Sequence, residues 1–314
     1  MPKSILLTGS TGFVGTNLVK SLTLKSDLII KSVVRRAVNK GDELSFEVGE
    51  INASTDYRLA LNNTNIVIHC AARAHVASHA TVDSLAQFRA VNTEGTLNLA
   101  RQAAEAGVRR FVFVSSIGVN GISTKDKPFT SNMKVEPHNP YAQSKYEAEL
   151  GLKKIAEETG LEVVIVRPTL VYGPNAPGNF GMLTKLVRKL PVLPFGLANN
   201  RRDFIAVQNL ADLLVTCATH PNAAGHTFLA SDSETVSIKG FTNAMAKGLG
   251  KKVVQLPIPV GLMHLIGKVT GKSAMIEQLF GNLEVDSSNI QQVLGWTPPF
   301  TMEQAMASLK DSDK

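Results

Sequence analysis

The sequence predicts an α/β protein in which a doubly wound parallel sheet carries a smaller mixed α/β lobe at its C-terminal end. Short apolar runs alternate with windows of helical periodicity through the first half of the chain. The runs are continuous, as expected of strands that are buried on both faces. After Pro168, prolines and glycines interrupt this alternation. We therefore expect a first domain over 1–170 and the lobe over 171–314, with some of the chain crossing back around 200–230.

The individual elements follow from the same patterns. Strands are predicted in the runs SILLTG, LIIKSVV, NIVIHCA, RRFVFVSS and LEVVIVRP. Long helices are predicted over 85–107 and 141–159, because Gly107 and Gly160 stand where a C-terminal stop belongs. Shorter helices are expected over 208–219, 237–248, 260–269 and 301–310.

Composition limits the classes of function. The chain has 314 residues, 44% of them hydrophobic, without low-complexity runs, so it can bury a sizeable core. The net charge of +7 fits an anionic small molecule, and no nucleic-acid partner is expected because no signature of such binding accompanies the lysines and arginines. Cys70 and Cys217 lie in apolar surroundings, which predicts buried thiols and a reducing, cytoplasmic location.

No membrane-spanning or secretory segment is expected. The first apolar run, residues 5–7, is far too short for a signal peptide. The longest apolar stretch, residues 253–267, contains two prolines and His264 and is too short to span a bilayer. A core strand followed by a core helix explains this stretch, and peripheral membrane contact remains an open alternative.

A glycine-rich turn between the first strand and the first helix predicts a dinucleotide site. Its glycines are Gly9, Gly12 and Gly15, with Thr11, Phe13 and Val14 between them. In this context the first glycine makes the tight turn, the second lets the backbone approach a pyrophosphate, and the third allows close packing of helix on strand. The phosphates then meet the helix N-terminus.

The end of the second strand bears on the choice of dinucleotide. Proteins that bind a free ribose 2′-hydroxyl usually place Asp or Glu there. This chain has Arg35 and Arg36 instead. Because guanidinium groups can pair with a 2′-phosphate through two hydrogen bonds, these residues favour NADP(H), with NAD(H) as the alternative. The two arginines could equally be solvated at a strand end.

Ser116, Tyr141 and Lys145 form a candidate reactive set. Tyr141 and Lys145 are four residues apart on a predicted helix and therefore share a face. A nearby ammonium group favours the ionised form of a phenol, whose ordinary pKa near 10 makes it a poor catalyst at neutral pH. Ser116 ends a predicted strand at the sheet edge where α/β proteins bind ligands. Its hydroxyl can stabilise a substrate oxygen while Tyr141 transfers a proton.

The chain resembles the extended short-chain dehydrogenase/reductases of the NAD(P)-dependent epimerase/dehydratase family, in its nucleotide-sugar branch. The resemblance covers nearly the whole chain and rests on the glycine turn, the Tyr141/Lys145 pair and further motifs. These are HCAA at 69–72, VNTEGT at 91–96, SSIGVNG at 115–121, RPTLVYGP at 167–174, RRDFIAVQNLAD at 201–212 and LGWTPP at 294–299. It implies a Rossmann-like first domain for the dinucleotide, a substrate-binding lobe and a homodimer built from the two long helices.

The resemblance also implies roles for further residues. Lys145 would hold the nicotinamide ribose, and Glu50, Ile51, Ala71, Ala72, Asn92, Ser115 and Pro168 would contact the cofactor. Substrate contacts would come from Arg73, Ser116, Asn120, Asn179 and Arg202. Arg202 suits a diphosphate, although pairing with Asp203 is the alternative. No metal is expected, because His69, His75 and His79 have no companion ligands at zinc spacing.

Family membership leaves the reaction open. Dehydratases of the family place Asp-Glu directly after the hydroxyl residue, but Ile117 and Gly118 follow Ser116 here. The two arginines favour reduction of a UDP-4-keto-6-deoxy-N-acetylhexosamine with NADPH and Tyr141 as proton donor, as in bacterial surface-polysaccharide (O-antigen, lipopolysaccharide) enzymes. The alternatives are a UDP-(N-acetyl)hexose 4-epimerase with tightly bound NAD, an NADPH-dependent reductase of a non-sugar ketone, and a cofactor-sensing regulator.

Overall fold

The computed structural model describes residues 3–36, 44–74, 84–271 and 273–313. Its strands are β1 (Lys3–Thr8), β2 (Leu28–Val34), β3 (Ser45–Glu47), β4 (Ile66–His69), β5 (Arg110–Val114), β6 (Glu162–Pro168), β7 (Leu170–Tyr172), β8 (Val192–Leu193), β9 (Arg202–Ala206), β10 (Thr227–Ala230), β11 (Thr235–Val236) and β12 (Val254–Gln255). Its helices are α1 (Phe13–Thr23), α2 (Arg58–Leu61), α3 (Ser84–Phe88), α4 (Thr96–Glu105), α5 (Pro140–Thr159), α6 (Gly178–Lys189), α7 (Val207–Thr219), α8 (Ile238–Gly248), α9 (Val260–Val269), α10 (Ser273–Phe280), α11 (Ser288–Leu294) and α12 (Met302–Ala307).

The central element is a seven-stranded parallel sheet with the strand order β10-β6-β5-β4-β1-β2-β3. The five predicted strands are confirmed as β1, β2, β4, β5 and β6. The strand order reverses at β1, which has β2 on one side and β4 on the other. Such a reversal opens a crevice at the carboxyl ends of the strands, and the glycine turn follows β1 at that edge.

Two further strands of this sheet were not predicted as strands, although residues 227–230 lie in the region around 200–230 where the chain was expected to cross back. The short strand β3 pairs with β2 at one edge. At the other edge β10 pairs with β6, so residues 227–230 return to the sheet after the chain has left it. Two smaller sheets, β11-β9-β7 and β12-β8, lie outside it.

The predicted helix over 85–107 is interrupted in the structure. Between α3 and α4 the segment Arg89–Gly95 winds as a π-helix, and α4 ends at Glu105. Asn92 lies in this wide turn and is fully buried. A π-helical turn widens the helix locally, which lets one side chain turn inward to partners that a regular helix would not reach.

The other predicted helices form close to their expected bounds. The helix predicted over 141–159 is α5, capped by the Asn139 side chain and ended by Gly160 at φ +75°. The predictions over 208–219, 237–248 and 260–269 correspond to α7, α8 and α9. The last one ends early, because α12 passes into a 3₁₀ turn at Ser308–Asp313.

The core has a layer on each face of the sheet and a third part beyond it. On one face β1 and β10 pack with α1 and α7, and on the other β4 and β5 pack with α4 and α5. The third part joins α6, β9 and α8 through aromatic side chains, and the rings of Phe204 and Phe241 stack with centroids 3.8 Å apart. These two rings form part of the wall of a cavity. Among the described residues, no helix is long and apolar enough to cross a bilayer.

Candidate active site

The glycine turn has the geometry of a phosphate cradle. Gly9 has φ +75°, and a Cβ on it would lie 2.7 Å from the Ala71 amide nitrogen. A Cβ on Gly15 would lie 2.0 Å from the Gly9 carbonyl oxygen, so α1 can approach β1 only without a side chain there. Gly12 caps α1 with no side-chain hydrogen bond, and no acidic residue lies in the first turn. The first-turn amides are therefore suited to an anion such as a pyrophosphate.

The exposed backbone of Thr11 and Gly12 borders this cradle, and Phe13 and Val14 begin α1 half-buried beside it. Arg35 and Arg36 directly follow β2 and are both exposed. Because β2 pairs with β1 through Val33 and Thr8, the two arginines lie at the edge of the sheet that carries the glycine turn. A dinucleotide fits these residues: the turn for its phosphates and the strand end for its ribose.

Glu50 and Ile51 lie beyond β3, on the same side of the molecule. Glu50 is exposed, and its carbonyl oxygen accepts a hydrogen bond of 2.8 Å from the Thr55 hydroxyl. Ile51 packs against Gly95, where a Cβ would approach its side chain to 2.6 Å. The contact connects the loop after β3 with the π-helical turn. Contact of Glu50 and Ile51 with the adenine of a dinucleotide stays a prediction.

The loop after β4 is held by Asn92. Its side-chain amide accepts from the Arg73 N–H at 2.8 Å and donates to the Arg73 carbonyl at 3.1 Å and to the Ser144 hydroxyl at 3.0 Å. Asn92 thus connects the β4 loop, which contains Ala71 and Ala72, to α5. The side chain of Arg73, expected to contact the substrate, instead is exposed and donates to Gln87 at 3.0 Å.

Ser116, Tyr141 and Lys145 lie where β5 and α5 meet. Ser116 follows β5, and its hydroxyl oxygen accepts from the Gly118 N–H at 3.1 Å. His138, just before α5, contacts the Gly118 carbonyl oxygen through Nδ1 at 3.1 Å, which fixes the start of α5 against the Ser116 turn. Tyr141 stands in the first turn of α5 and Lys145 one turn later. The sequence did not single out His138, although its place three residues before Tyr141 was a usable signal.

The electrostatics of this pair differ from the sequence-based expectation. Burial raises the pKa of Tyr141 to about 12. Burial lowers the pKa of Lys145 to about 7, against the opposing influence of Cys70 and Glu149. The Lys145 ammonium lies 4.1 Å from the centroid of the Phe113 ring. Desolvation is therefore the dominant influence on both groups, and it keeps the Tyr141 phenol protonated at neutral pH.

A buried polar network lies where β5, β6 and α5 meet. Glu149, one turn after Lys145, accepts two hydrogen bonds from Arg167, at 2.5 and 2.9 Å, and one from the Ser115 hydroxyl at 2.5 Å. Arg167 also donates to the Asn120 side-chain oxygen at 2.9 Å. The hydroxyl of Ser115, expected to contact the cofactor, thus binds Glu149. Sequence reasoning missed both Glu149 and Arg167.

Asn120 was expected to contact the substrate, and the structure places it elsewhere. Its nitrogen donates to the Thr130 carbonyl at 3.2 Å, and its oxygen accepts from Arg167. The residue is 2% exposed. Its amide is therefore consumed by internal partners, and it is not among the residues that line the cavity.

A cavity of 430 Å³ opens next to Ser116. Its lining combines Ser116, Gly118, His138 and Pro168 with residues of α6, β9, α8 and α10. Most of that wall is apolar, including Phe180, Phe204, Phe241, Leu183 and Leu279. The cavity thus extends from the carboxyl edge of the sheet towards the C-terminal part of the chain, the arrangement expected of a ligand site in an open α/β fold.

Arg202 supplies the charge of this cavity. It is 8% exposed, lines the cavity and donates to the Gly281 carbonyl at 3.2 Å. Burial lowers its pKa to about 10. The alternative of pairing with Asp203 is not realised, because that carboxylate accepts from the Thr235 hydroxyl and the Val285 N–H. Within the described part of the chain, Arg202 forms no salt bridge, whereas its neighbour Arg201 pairs with Glu284 at 2.7 Å.

Asn179 lines the same cavity from the first turn of α6, and its side chain donates to Gln278 at 2.6 Å. Arg202 and Asn179 are therefore brought together with Ser116 around one space. Pro168 joins them at the end of β6.

His69 has an internal role. Its ring nitrogens contact the hydroxyls of Thr8 at 2.6 Å and Thr96 at 2.9 Å, and burial lowers its pKa to about 3. The neutral imidazole thus connects β1, β4 and α4. No metal-binding group of three or more side chains is found among the residues described, and His75 and His79 lie outside them.

Comparison with known proteins agrees with this geometry. The model of the NAD-dependent epimerase/dehydratase family matches residues 5–230. A Vibrio cholerae protein named UDP-glucose 4-epimerase is 53% identical over 306 residues, which cover 97% of this chain and 93% of that protein.

Two solved structures share the fold. The UDP-N-acetylglucosamine 4-epimerase of Bacillus cereus has a TM-score of 0.78 at 18% identity, with 98% of each chain covered. The UDP-glucose 4-epimerase of Thermotoga maritima with UDP-glucose has a TM-score of 0.77 at 22% identity, with 99% of this chain and 98% of that one covered. On the strength of the family match and the Vibrio relative, this chain belongs to the NAD-dependent epimerase/dehydratase family of enzymes.

Proposed function

We propose that this enzyme interconverts the 4-epimers of a UDP-hexose or UDP-N-acetylhexosamine and retains its NAD through the cycle. The observation that carries the proposal is one shared space: the Ser116 turn and His138, which directly precedes α5, line a cavity whose wall holds the buried guanidinium of Arg202. The Ser116 hydroxyl at one end, with Tyr141 on the adjoining helix, and a diphosphate partner at the other end match a sugar nucleotide.

Each part of the site has a distinct task in this proposal. A bound dinucleotide would supply a hydride acceptor and donor. The glycine turn and the N-terminus of α1 would hold its pyrophosphate, and Lys145 would hold its ribose. Tyr141 would first have to lose its proton to solvent; its phenolate would then accept the proton of the sugar 4-hydroxyl as hydride leaves, and the phenol would donate it back as hydride returns. The Ser116 hydroxyl would hydrogen-bond to that same oxygen. Arg202 pairs with the diphosphate, and Asn179 contacts it from α6.

The choice of epimerisation rests on the Vibrio cholerae relative, named UDP-glucose 4-epimerase, at 53% identity. Reduction of a 4-keto sugar nucleotide, which the two arginines suggested from sequence, becomes the second candidate. Arg35 and Arg36 favour it, since both are exposed at the end of β2 beside the proposed ribose site. A non-sugar ketone would suit the apolar wall, but it would leave the Arg202 guanidinium without an anionic partner.

The test uses the purified full chain without added dinucleotide. UDP-glucose and UDP-N-acetylglucosamine are incubated separately, and the sugars are separated chromatographically and assigned by NMR. We expect the galacto isomer to form, and denatured protein to release NAD. A parallel reaction contains UDP-4-keto-6-deoxy-N-acetylglucosamine with NADPH and is followed by absorbance. NADPH consumption there, without interconversion in the first arm, would replace epimerisation by reduction.

A further inference from the structure

Helix α9 exposes an apolar face. Leu262, Leu265, Ile266 and Val269 are 46%, 56%, 45% and 81% exposed. Their spacing of three, four and seven residues places them on one side of the helix. The opposite side packs on α10, where a Cβ on the buried Gly267 would come within 2.7 Å of Ile276. The stripe is therefore a surface of the folded chain, separate from the core contact of the same helix.

The apolar surface continues into the chain just before α9. Val254 of β12 pairs with Val192 of β8, and both side chains are exposed. Leu190 and Leu256, which flank this short ladder, are exposed as well. We call the α9 stripe and the β8-β12 ladder together the apolar platform. Patches of this kind on a protein usually mark an interaction site.

The charge on the surrounding segments is mostly positive, with an exception at Glu277 of α10, whose half-exposed carboxylate lies 4.0 Å from His264 of α9. Residues 235–276 contain six lysines and no acidic residue, and residues 163–202 contain six lysines or arginines and no acidic residue. These segments supply α6, β8, α8, β12 and α9. Lys251, Lys252 and Lys268 are exposed, and the Lys251 ammonium donates to the Arg188 carbonyl at the end of α6. The apolar platform is thus bordered by cations.

We propose that the apolar platform docks on the surface of an anionic lipid membrane, with α9 lying parallel to it. Apolar residues on one face and lysines beside them form the pattern of an interfacial helix, whose side chains enter the acyl boundary while the cations meet lipid head groups. A second copy of this chain is a poor occupant, because the exposed Lys251, Lys252 and Lys268 of two such surfaces would repel each other. The proposal does not depend on which reaction the site performs.

Docking in this way has a consequence for the cavity. Met182 on α6 and Met275 on α10 line the cavity and are themselves 56% and 37% exposed. Because α10 packs on the side of α9 opposite the stripe, the rim of the cavity is separated from the apolar platform by the width of one helix. A membrane-docked enzyme would therefore take up its substrate next to the lipid surface.

The experiment is co-sedimentation of the full chain with vesicles. We expect binding to vesicles of phosphatidylcholine with about one-third phosphatidylglycerol, weak binding to phosphatidylcholine alone, and release at about 0.5 M salt. The double variant Leu265→Glu with Val269→Glu should lower the vesicle affinity by about tenfold or more. The matched control is Leu24→Glu with Leu59→Glu, two leucines that are 87% and 83% exposed, the first directly after α1 and the second on α2. The control should bind as the unmodified protein does.

Three results would overturn the proposal. These are no sedimentation with either vesicle, equal loss of binding in the control variant, and a change in molecular mass on size-exclusion chromatography when Leu265 and Val269 are replaced. The last would assign the apolar platform to a second copy. Circular dichroism of both variants establishes that they are folded. A second variant, Lys251→Ala with Lys252→Ala, should bind less tightly to the anionic vesicles and unchanged to phosphatidylcholine vesicles.

Discussion

The corner where β5, β6 and α5 meet differs sharply from the wall of the cavity beside it. At the corner, buried polar groups satisfy one another: Glu149 binds Arg167 and Ser115, and Asn92 binds Ser144 and the Arg73 backbone. Along the wall, aromatic and aliphatic side chains surround Arg202. Polar groups at the corner therefore hold one another in position, whereas the Arg202 guanidinium on the wall is left facing the cavity, where we propose that it meets a ligand.

This difference separates two kinds of residue that look alike in sequence. Arg167 and Arg202 are both buried arginines at the ends of strands, 3% and 8% exposed. Arg167 has a carboxylate partner inside the protein, and Arg202 has a carbonyl and the cavity. Replacement of the first should therefore act on the fold, and replacement of the second on the ligand.

The largest effect is expected at the corner. Arg167→Met removes one partner of an ion pair whose side chains are 3% and 1% exposed, and leaves the Glu149 carboxylate without its cation. The free energy of unfolding should fall by about 3 to 5 kcal/mol. Urea unfolding followed by circular dichroism measures this. The control is Lys247→Met, which breaks an ion pair with Glu303 in which both side chains are 70% exposed, and it should barely change stability. If both variants lost the same free energy of unfolding, the buried ion pair would contribute no more to stability than the exposed one.

The second effect concerns turnover. Tyr141→Phe removes the phenolic hydroxyl and should lower kcat by about a hundredfold or more while the dinucleotide remains bound. Tyr146→Phe, a half-buried tyrosine farther along α5, should keep its activity. Rates and released dinucleotide are measured on both variants. Activity retained in Tyr141→Phe would move proton transfer to another group.

These two predictions differ in how far sequence alone could reach them. The Tyr141/Lys145 pair and the glycine turn are local patterns. The four-residue spacing on a helix identifies the pair, and the position directly after a strand identifies the turn. The strands were equally accessible, since each is a continuous apolar run. Local pattern therefore predicted the sheet, its carboxyl edge and the candidate reactive side chains.

The partners of polar side chains were not accessible in this way. Asn120 and Ser115 lie in promising motifs, yet they bind Arg167 and Glu149, which are 47 and 34 residues away along the chain. The π-helical turn at Arg89–Gly95 was missed because its sequence has ordinary helical periodicity. Likewise, nothing local distinguishes Arg201, which pairs with Glu284 on the surface, from buried Arg202. Such choices depend on what the rest of the fold brings near.

The third effect is a pH dependence of stability. Since burial lowers the pKa of Lys145 to about 7, the unfolded chain binds more protons than the folded one above that pH, up to the ordinary lysine pKa of 10.5. Stability should therefore rise with pH in this window, by about 2 kcal/mol between pH 7.5 and 9. The Lys145→Met variant should lack this contribution, and Lys153→Met, an exposed lysine on the same helix, should keep it. Burial raises the pKa of the Cys217 thiol, which acts in the opposite direction but cancels in the difference between the variants. Parallel slopes for all three proteins would contradict a neutral Lys145.

The smallest expected effect is a change in KM at the wall of the cavity. Two neighbouring arginines, Arg202 and Arg201, serve as test and control. Arg202→Ala removes the guanidinium that faces the cavity, so KM for a UDP-sugar should rise by about tenfold or more while kcat changes little. Arg201→Ala removes the exposed partner of Glu284 and should leave KM unchanged. The folded state should tolerate Arg202→Ala, because within the described residues no carboxylate loses a partner. If KM responds equally to both substitutions, the general positive charge of this region attracts the substrate, and the wall has no dedicated diphosphate contact at Arg202.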